Sequence, residues 1–211
     1  MARMQTGYAR AAGGIHPVQR LPRRAELGLP PIMRPMSLPP LPAPWQLRAL
    51  DVRDVDSLLH VQTVCYGDGF QESRATFAQR LASPHHCSIG VVPTGSTALQ
   101  AYLAAYWSSP GKITPLDGPF TAPQPGAQVL YLHDMSVLPS LAGQGVARHM
   151  LQALMQQARQ RGLQQAALVS VQGSQAYWER QGFSVQPVID TQQSLHLQTY
   201  GEGALYMTAA L

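Results

Sequence analysis

The rhythm of apolar and polar positions changes several times along the chain, and each change marks an element. Trp45 to Leu50 alternate with the period of a half-buried strand. Asp51 or Asp54 then caps a helix that carries Val55, Leu58 and Leu59 at helical spacing. Gln62 falls where that stripe would continue, which predicts a short helix. A second short helix fits Ser73 to Leu81, with a glycine-broken loop of Tyr66, Gly67, Asp68, Gly69 and Phe70 between the two. Cys87 to Val92 and Ala98 to Trp107 read as strands of a hairpin turning at Pro93, Thr94 and Gly95. Residues 108–127, broken by Pro110, Gly111, Pro115, Gly118, Pro123, Pro125 and Gly126, form a loop of a length that commonly serves a site.

Val129 to Val137 is apolar on both faces, the pattern of a central strand covered on each side. Gly145 then opens a helix whose stripe runs Val146, Ala147, Met150, Leu151, Leu154, Met155 and Ala158, and Gly162 stops it. Ala166 to Val171 is a short buried strand. Ser174 starts a helix ending at Gly182, and 183–188 and 204–211 close as strands. The order is therefore strand, two helices, three strands, helix, strand, helix, two strands, with no internal repeat. That order predicts one α/β domain.

Charge alters this picture mainly at the N-terminus. Six arginines (Arg3, Arg10, Arg20, Arg23, Arg24 and Arg34) stand against Glu26 alone in residues 1–44, while the whole chain carries +4, so the remainder is slightly acidic. The first 44 residues are also rich in proline and glycine and are expected to be a disordered tail, with the folded domain at 45–211. An arginine-rich, acid-poor segment also suits a transit peptide, and Met33 or Met36 offers a later start. Without clustered cations in the domain, nucleic acid is not expected as a partner. No apolar run is long enough to span a bilayer. Two cysteines, Cys65 and Cys87, are too few for a disulfide scaffold and fit a reducing, cytoplasmic setting. His85, His86 and Cys87 are adjacent in sequence and do not make a metal site.

The segment with chemical content is the turn Pro139, Ser140, Leu141, Ala142, Gly143, Gln144, Gly145 between a strand and a long helix. Two glycines let backbone amides converge, and the helix start adds partial positive charge, an arrangement suited to a pyrophosphate. A nucleotide-binding P-loop would require Lys then Ser or Thr where Val146 and Ala147 stand, and a dinucleotide fingerprint a third glycine where Arg148 stands.

Over residues 45 to 211 the sequence resembles the GNAT superfamily of acyl-coenzyme A dependent N-acyltransferases. The family's central signature maps to Ser140 through Gly145, with Ser140 replacing the usual Gln or Arg. The aromatic helix ending in Gly-Phe matches Tyr177 to Phe183, and Ala204 to Met207 looks like the family's last strand. The resemblance implies a mixed, mostly antiparallel sheet flanked by helices. It implies that Met135, Ser136 and Val137 border the pantetheine arm of acetyl-coenzyme A, and that the amides of Leu141, Ala142, Gly143, Gln144, Gly145, Val146 and Ala147 hold its pyrophosphate. Arg148, Ser174, Gln172 and Trp178 would stand nearby.

The family's usual general acid is a tyrosine at the position of Trp178, and indole cannot donate this proton. Tyr177 is one residue, about 100°, away around the helix. For the base, His133 lies four residues before Val137, where the arylalkylamine acetyltransferase branch also has a histidine. The unperturbed pKa of histidine as a residue type, about 6.5, suits proton acceptance at neutral pH. Asp134 is the rival, a strand carboxylate that needs a partner or a purpose, and a bulge would change which of the two faces the cleft. Asp68 and Glu72 are candidates to attract a cationic amine between walls of Tyr66, Phe70 and Trp107. The expectation is an N-acetyltransferase acting on the primary amine of a small molecule or peptide, with homodimerisation allowed. The alternative is a catalytically idle acyl-coenzyme A sensor.

Overall fold

The computed structural model describes Leu41 and residues 43–67, 69–126 and 128–211; nearly all of the tail and Asp68 lie outside the described residues. Strands β1 (Trp45–Ala49), β2 (Ile89–Pro93), β3 (Ala101–Ser108), β4 (Val129–Val137), β5 (Gln165–Ser170), β6 (Ser184–Val185) and β7 (Leu205–Ala210) form one sheet. Their spatial order is β1-β2-β3-β4-β5-β7-β6. Every pairing is antiparallel except β4 with β5. That parallel pair requires a crossover, supplied by helix α3 (Val146–Gln160).

One face of the sheet is covered by α3 and by α4 (Gln175–Arg180). The stripe Val146, Met150, Leu151, Leu154 and Ala158 packs on Leu103, Ala105, Trp107, Leu130 and Leu132 from the strands. Full burial of each large aliphatic side chain contributes about 1.5–3 kcal/mol. The opposite face carries α1 (Val55–Tyr66) and α2 (Arg74–Ala82), which bury Leu58, Val61, Phe77 and Leu81 against Val92, Tyr102 and Ala104. Ser73 caps α2 by accepting the Thr76 N–H at 3.3 Å.

Two differences from the sequence reading have physical causes. Helix α1 runs straight through Gln62 instead of ending there, because Gln62 is buried with both ends of its amide engaged. Its Oε1 accepts the Glu72 N–H (3.0 Å) and its Nε2 donates to Asp134 (3.4 Å). The second difference is α5 (Thr191–Gln198), a helix in a stretch to which the sequence pattern assigns no element. It has no buried residue and little amphipathic pattern; Asp190 caps it by accepting the Gln193 N–H at 2.8 Å. Its role is to fasten the long loop after β3. Gln193 accepts the Ile113 N–H (2.7 Å), Thr199 the Leu116 N–H (2.9 Å), and the Tyr200 hydroxyl donates to Thr114 O (2.6 Å).

Between β3 and β4 the register slips once. Leu132 pairs with Ala105 and Asp134 with Ala104, which leaves His133 as the extra residue of a bulge. Strict alternation would separate His133 and Asp134 onto opposite faces. The bulge turns both toward α1 and α2, where His133 meets Glu72 and Arg80 and Asp134 meets Tyr66 and Gln62.

Candidate active site

β4 and β5 remain paired for three residues only, Leu130 with Ala166, Tyr131 with Ala167 and Leu132 with Leu168. Beyond Leu132 they part, β4 continuing along β3 to Val137 and β5 along β7 to Ser170. A cavity of about 260 Å³ fills the splay. Leu132 to Met135 line one side, Leu168, Val169, Gln172, Ser174, Tyr177 and Trp178 the other, and Tyr66, Phe70, Glu72, Leu116 and Tyr200 its far end. Phe70 (φ 56°) and Gln172 (φ 52°) are left-handed without being glycine. Such a conformation costs about 1–2 kcal/mol per residue and persists where the surroundings impose it.

The end of the site near α3 is built from backbone. After one 3-10 turn at Pro139–Leu141, Gly143 and Gly145 both adopt φ 75°, and α3 begins at Val146. A Cβ on either glycine would meet nothing within 4 Å, so it is the backbone angle that selects glycine and the space before the turn is open. The leading amides of a helix lack intrahelical partners and carry its partial positive charge. An open, exposed turn ending in such amides fits a diphosphate. Ser136 turns its side chain into the protein, 2% exposed and 3.5 Å from Asp134, so Met135 to Val137 have no polar side chain to offer where β5 has left.

Arg148 is exposed on the first turn of α3 and stands near Tyr177, whose pKa is raised by burial and drawn back by Arg148 and Arg180. The Tyr177 hydroxyl is buried without a hydrogen-bond partner among the described residues, in the wall of the cavity. Trp178 also reaches the cavity but sits mostly in the core, edge-on to Phe183 at 5.5 Å. Ser174 closes the turn before α4, donating to Val171 O at 2.7 Å.

The far end is a network of side chains centred on a residue the sequence reading passed over. Arg80 is 1% exposed within α2, and its Nη1 bonds Glu72 (2.7 Å to Oε2) and lies 2.6 Å from His133 Nε2. Its Nη2 donates to Gly118 O (2.8 Å) and Pro115 O (3.3 Å). The signal was present: Phe77, Arg80 and Leu81 are the buried residues of α2, at i, i+3 and i+4, so an arginine interrupts the apolar stripe. Glu72 is accordingly no solvated loop carboxylate. Burial would raise its pKa, but His133 and Arg80 outweigh burial and hold it at about 2. Its Oε1 also accepts the Asp117 N–H at 2.9 Å.

His133 reaches the cavity, yet both ring nitrogens are engaged by protein groups and its side chain is 1% exposed. Nε2 faces Glu72 Oε2 at 2.8 Å as well as Arg80. Nδ1 lies 3.4 Å from the Tyr200 hydroxyl, whose proton goes to Thr114 O. Asp134 is different. It accepts from the Tyr66 hydroxyl (2.8 Å), the Tyr102 hydroxyl and, more distantly, Gln62 and Ser136, all of them neutral groups. Burial raises its pKa, and the two phenol hydrogen bonds oppose this only in part.

Of the expected acceptor residues, Tyr66, Phe70 and Glu72 line the cavity. Trp107 does not: it is in the core on the α3 face, with the Arg161 guanidinium 4.4 Å over its ring. It projects there because it shares the strand phase of Leu103 and Ala105, opposite to that of Tyr102 and Tyr106. Among the described residues no group of His, Cys, Asp and Glu is placed to hold a metal, and no helix is long and apolar enough to cross a membrane.

The mixed, mostly antiparallel sheet flanked by helices matches the GNAT fold. The family model for the acetyltransferase (GNAT) family matches residues 55–183, and the chain belongs to that family. No curated protein matches it. Among solved structures, the ribosomal-protein-S18-alanine N-acetyltransferase of Escherichia coli is similar at TM-score 0.56 and 16% identity, over 79% of this chain and 93% of that one. GphF GNAT-like decarboxylase in complex with isobutyryl-CoA aligns at TM-score 0.62 and 15% identity, over 78% and 98%. PaiA N-acetyltransferase from Thermoplasma acidophilum in complex with coenzyme A aligns at 0.53 and 11%, over 79% and 99%. At these identities the likeness is one of fold.

Proposed function

We propose that the protein transfers an acetyl group from acetyl-coenzyme A to a primary amine, with residues 45–211 as the catalytic domain and the cytoplasm as its setting. The carrying observation is that a parted strand pair opens a cavity that ends on ionisable side chains, and that the same strand β4 is followed by an open glycine turn at a helix start. The complexes of structural neighbours with coenzyme A and isobutyryl-CoA support an acyl-coenzyme A ligand. Bound there, the coenzyme supplies an acetyl thioester. In this reading the amides of Leu141 to Ala147 hold its pyrophosphate, assisted by Arg148. The backbone edge at Met135 to Val137 orients the arm, and Ser174 and Trp178 form the opposite wall. Tyr177, with its proton uncommitted, is the donor to the departing sulfur.

Orientation supplies much of the rate gain in such a site, since both reactants are held and water is excluded. The test is coenzyme A titration combined with thiol release across a panel of primary amines. Tyr177→Phe is expected to keep coenzyme A affinity and to lower thiol release by about 10²-fold, the low end for acid catalysis, because a thiolate already leaves well. Coenzyme A binding without thiol release from any amine would favour an acyl-coenzyme A sensor. That second reading is motivated by Trp178 at the family's acid position and by the engaged nitrogens of His133.

A further inference from the structure

Within that reading of the site, we propose that the acceptor end takes the protonated form of a primary amine bearing an apolar group. The ammonium is received at the Tyr66 hydroxyl and passes its proton through Tyr66 to Asp134.

Charge sets the two cavity carboxylates apart. Glu72 and Asp134 both line the cavity, but Glu72 is already neutralised by the Arg80 guanidinium at 2.7 Å. Asp134 faces Gln62, Cys65 and Tyr66 from α1, Tyr102 from β3, Ser136 and His133 from its own strand, and Glu72 beyond. Its hydrogen-bond donors are all neutral. A buried carboxylate whose hydrogen-bond donors are all neutral, with only His133 nearby to oppose its burial, is unfavourable, and an arriving cation reduces that penalty. Glu72, the intuitive amine-binding carboxylate, is thus an internal strut, and the recognition charge sits one hydrogen bond behind the Tyr66 hydroxyl.

Hydrogen-bond direction then fixes how the cation is met. The Tyr66 hydroxyl donates its proton to Asp134 Oδ1 at 2.8 Å. What remains on its oxygen is acceptor capacity, suited to an N–H donor. Tyr66 itself lines the cavity. The proton balance closes: the ammonium gives one proton to the Tyr66 oxygen, Tyr66 gives its own to Asp134, and the phenol is regenerated. A neutral amine with a free lone pair is left in the cavity. Burial and the neighbouring Asp134 raise the Tyr66 pKa far above that of a free phenol, so Tyr66 acts by exchange and not as a standing phenolate. Phe70, Leu116 and Tyr200 bound the space beside it, which selects an apolar substituent.

The experiment uses the full chain with benzylamine, its neutral analogue benzyl alcohol, and a dipeptide with N-terminal leucine. Equilibrium binding to the wild type is expected to favour benzylamine over benzyl alcohol by at least about tenfold, the scale of a charge-assisted hydrogen bond. Asp134→Asn should abolish that preference while leaving coenzyme A affinity unchanged. Equal affinities in the wild type, or a preference that survives in a folded Asp134→Asn, would overturn the proposal. Tyr66→Phe provides an independent arm: thiol release should fall and its pH optimum move alkaline, since only amine already neutral in solution then reacts. Unchanged turnover and profile would remove the relay. Tighter binding of benzylamine than of the dipeptide assigns a small amine, and the reverse a peptide terminus. Failure of the wild type to bind coenzyme A would sink the acetyltransferase reading, yet leave the amine and alcohol comparison standing on its own.

Discussion

The two ends of the candidate site are made of different material. At the α3 end the functional groups are backbone amides, and the sequence controls them only through the angles of Gly143 and Gly145. Ser140 replaces a signature residue there, while the turn after it keeps its course into the helix. At the other end Gln62, Tyr66, Glu72, Arg80, Tyr102, His133, Asp134 and Tyr200 interlock, drawn from helices, strands and a loop. A backbone site tolerates side-chain drift because no single side chain supplies its donors. A buried side-chain network does not, because removing one partner strands another in low dielectric.

The sharpest way to break this contrast is Arg80→Met. It leaves Glu72 buried without its guanidinium, and loss of one member of a buried pair typically costs about 3–5 kcal/mol. Urea denaturation is expected to show a loss of that order. The double variant Arg80→Met with Glu72→Leu should recover part of it, since an apolar pair needs no countercharge, while Gly118 O, the Asp117 N–H and His133 still lose their partners. Gln144→Ala in the exposed glycine turn is the control, with an expected change within about 0.5 kcal/mol. A large loss from Gln144→Ala, or none from Arg80→Met, would dissolve the distinction.

The same contrast explains what could be read from the sequence. The glycine turn, the long amphipathic α3 and the central β4 were legible because each is a local pattern of backbone angle or apolar period. The side-chain network was not, because its members are far apart in the chain: Gln62 and Asp134 are 72 residues apart, Arg80 and His133 are 53. Polar residues on buried stripes were the available trace. Gln62, whose polarity on the stripe predicts a helix end, marks the helix face toward Asp134, and Arg80 interrupts the apolar stripe of α2. The bulge at His133 has no sequence signal of its own, so alternation alone could not place His133 and Asp134 on one face. For α5 the helix depends on the Asp190 cap and on contacts with the loop it fastens, more than on any apolar period.

A second test separates the two carboxylates within the network, which titrate in opposite senses. Glu72 falls from an ordinary 4.5 to about 2 in the folded protein, so its contribution is complete above 4.5 and is lost as pH falls toward 2. At about 1.4 kcal/mol per unit, that contribution is of order 3 kcal/mol. Asp134 is raised by burial, so it opposes folding at neutral pH and this opposition fades as pH falls through its folded value toward 3.8. Denaturation curves collected from pH 7 to pH 3 should therefore show a steeper acid loss in Asp134→Asn than in the wild type. In Glu72→Gln the acid loss should flatten. Identical pH profiles in both variants would mean that the two carboxylates are not in the distinct environments described.

The smallest expected effect tests the backbone end. Gly145 stands at φ 75° as the residue before α3, and an added Cβ would meet no atom within 4 Å. Gly145→Ala therefore adds conformational strain without a clash, a cost of about 1–2 kcal/mol. Gly145→Asn should cost less, because asparagine tolerates the left-handed region better. If the turn exists to present amides, the strain will be partly relieved by rotation of this residue, and coenzyme A affinity should fall more in the alanine variant than in the asparagine variant. Stability and affinity would then rank the two substitutions identically. A loss of affinity in both variants with no difference between them would instead mean that the ligand approaches the Gly145 Cβ position itself, making that end of the site a steric one as well as a backbone one.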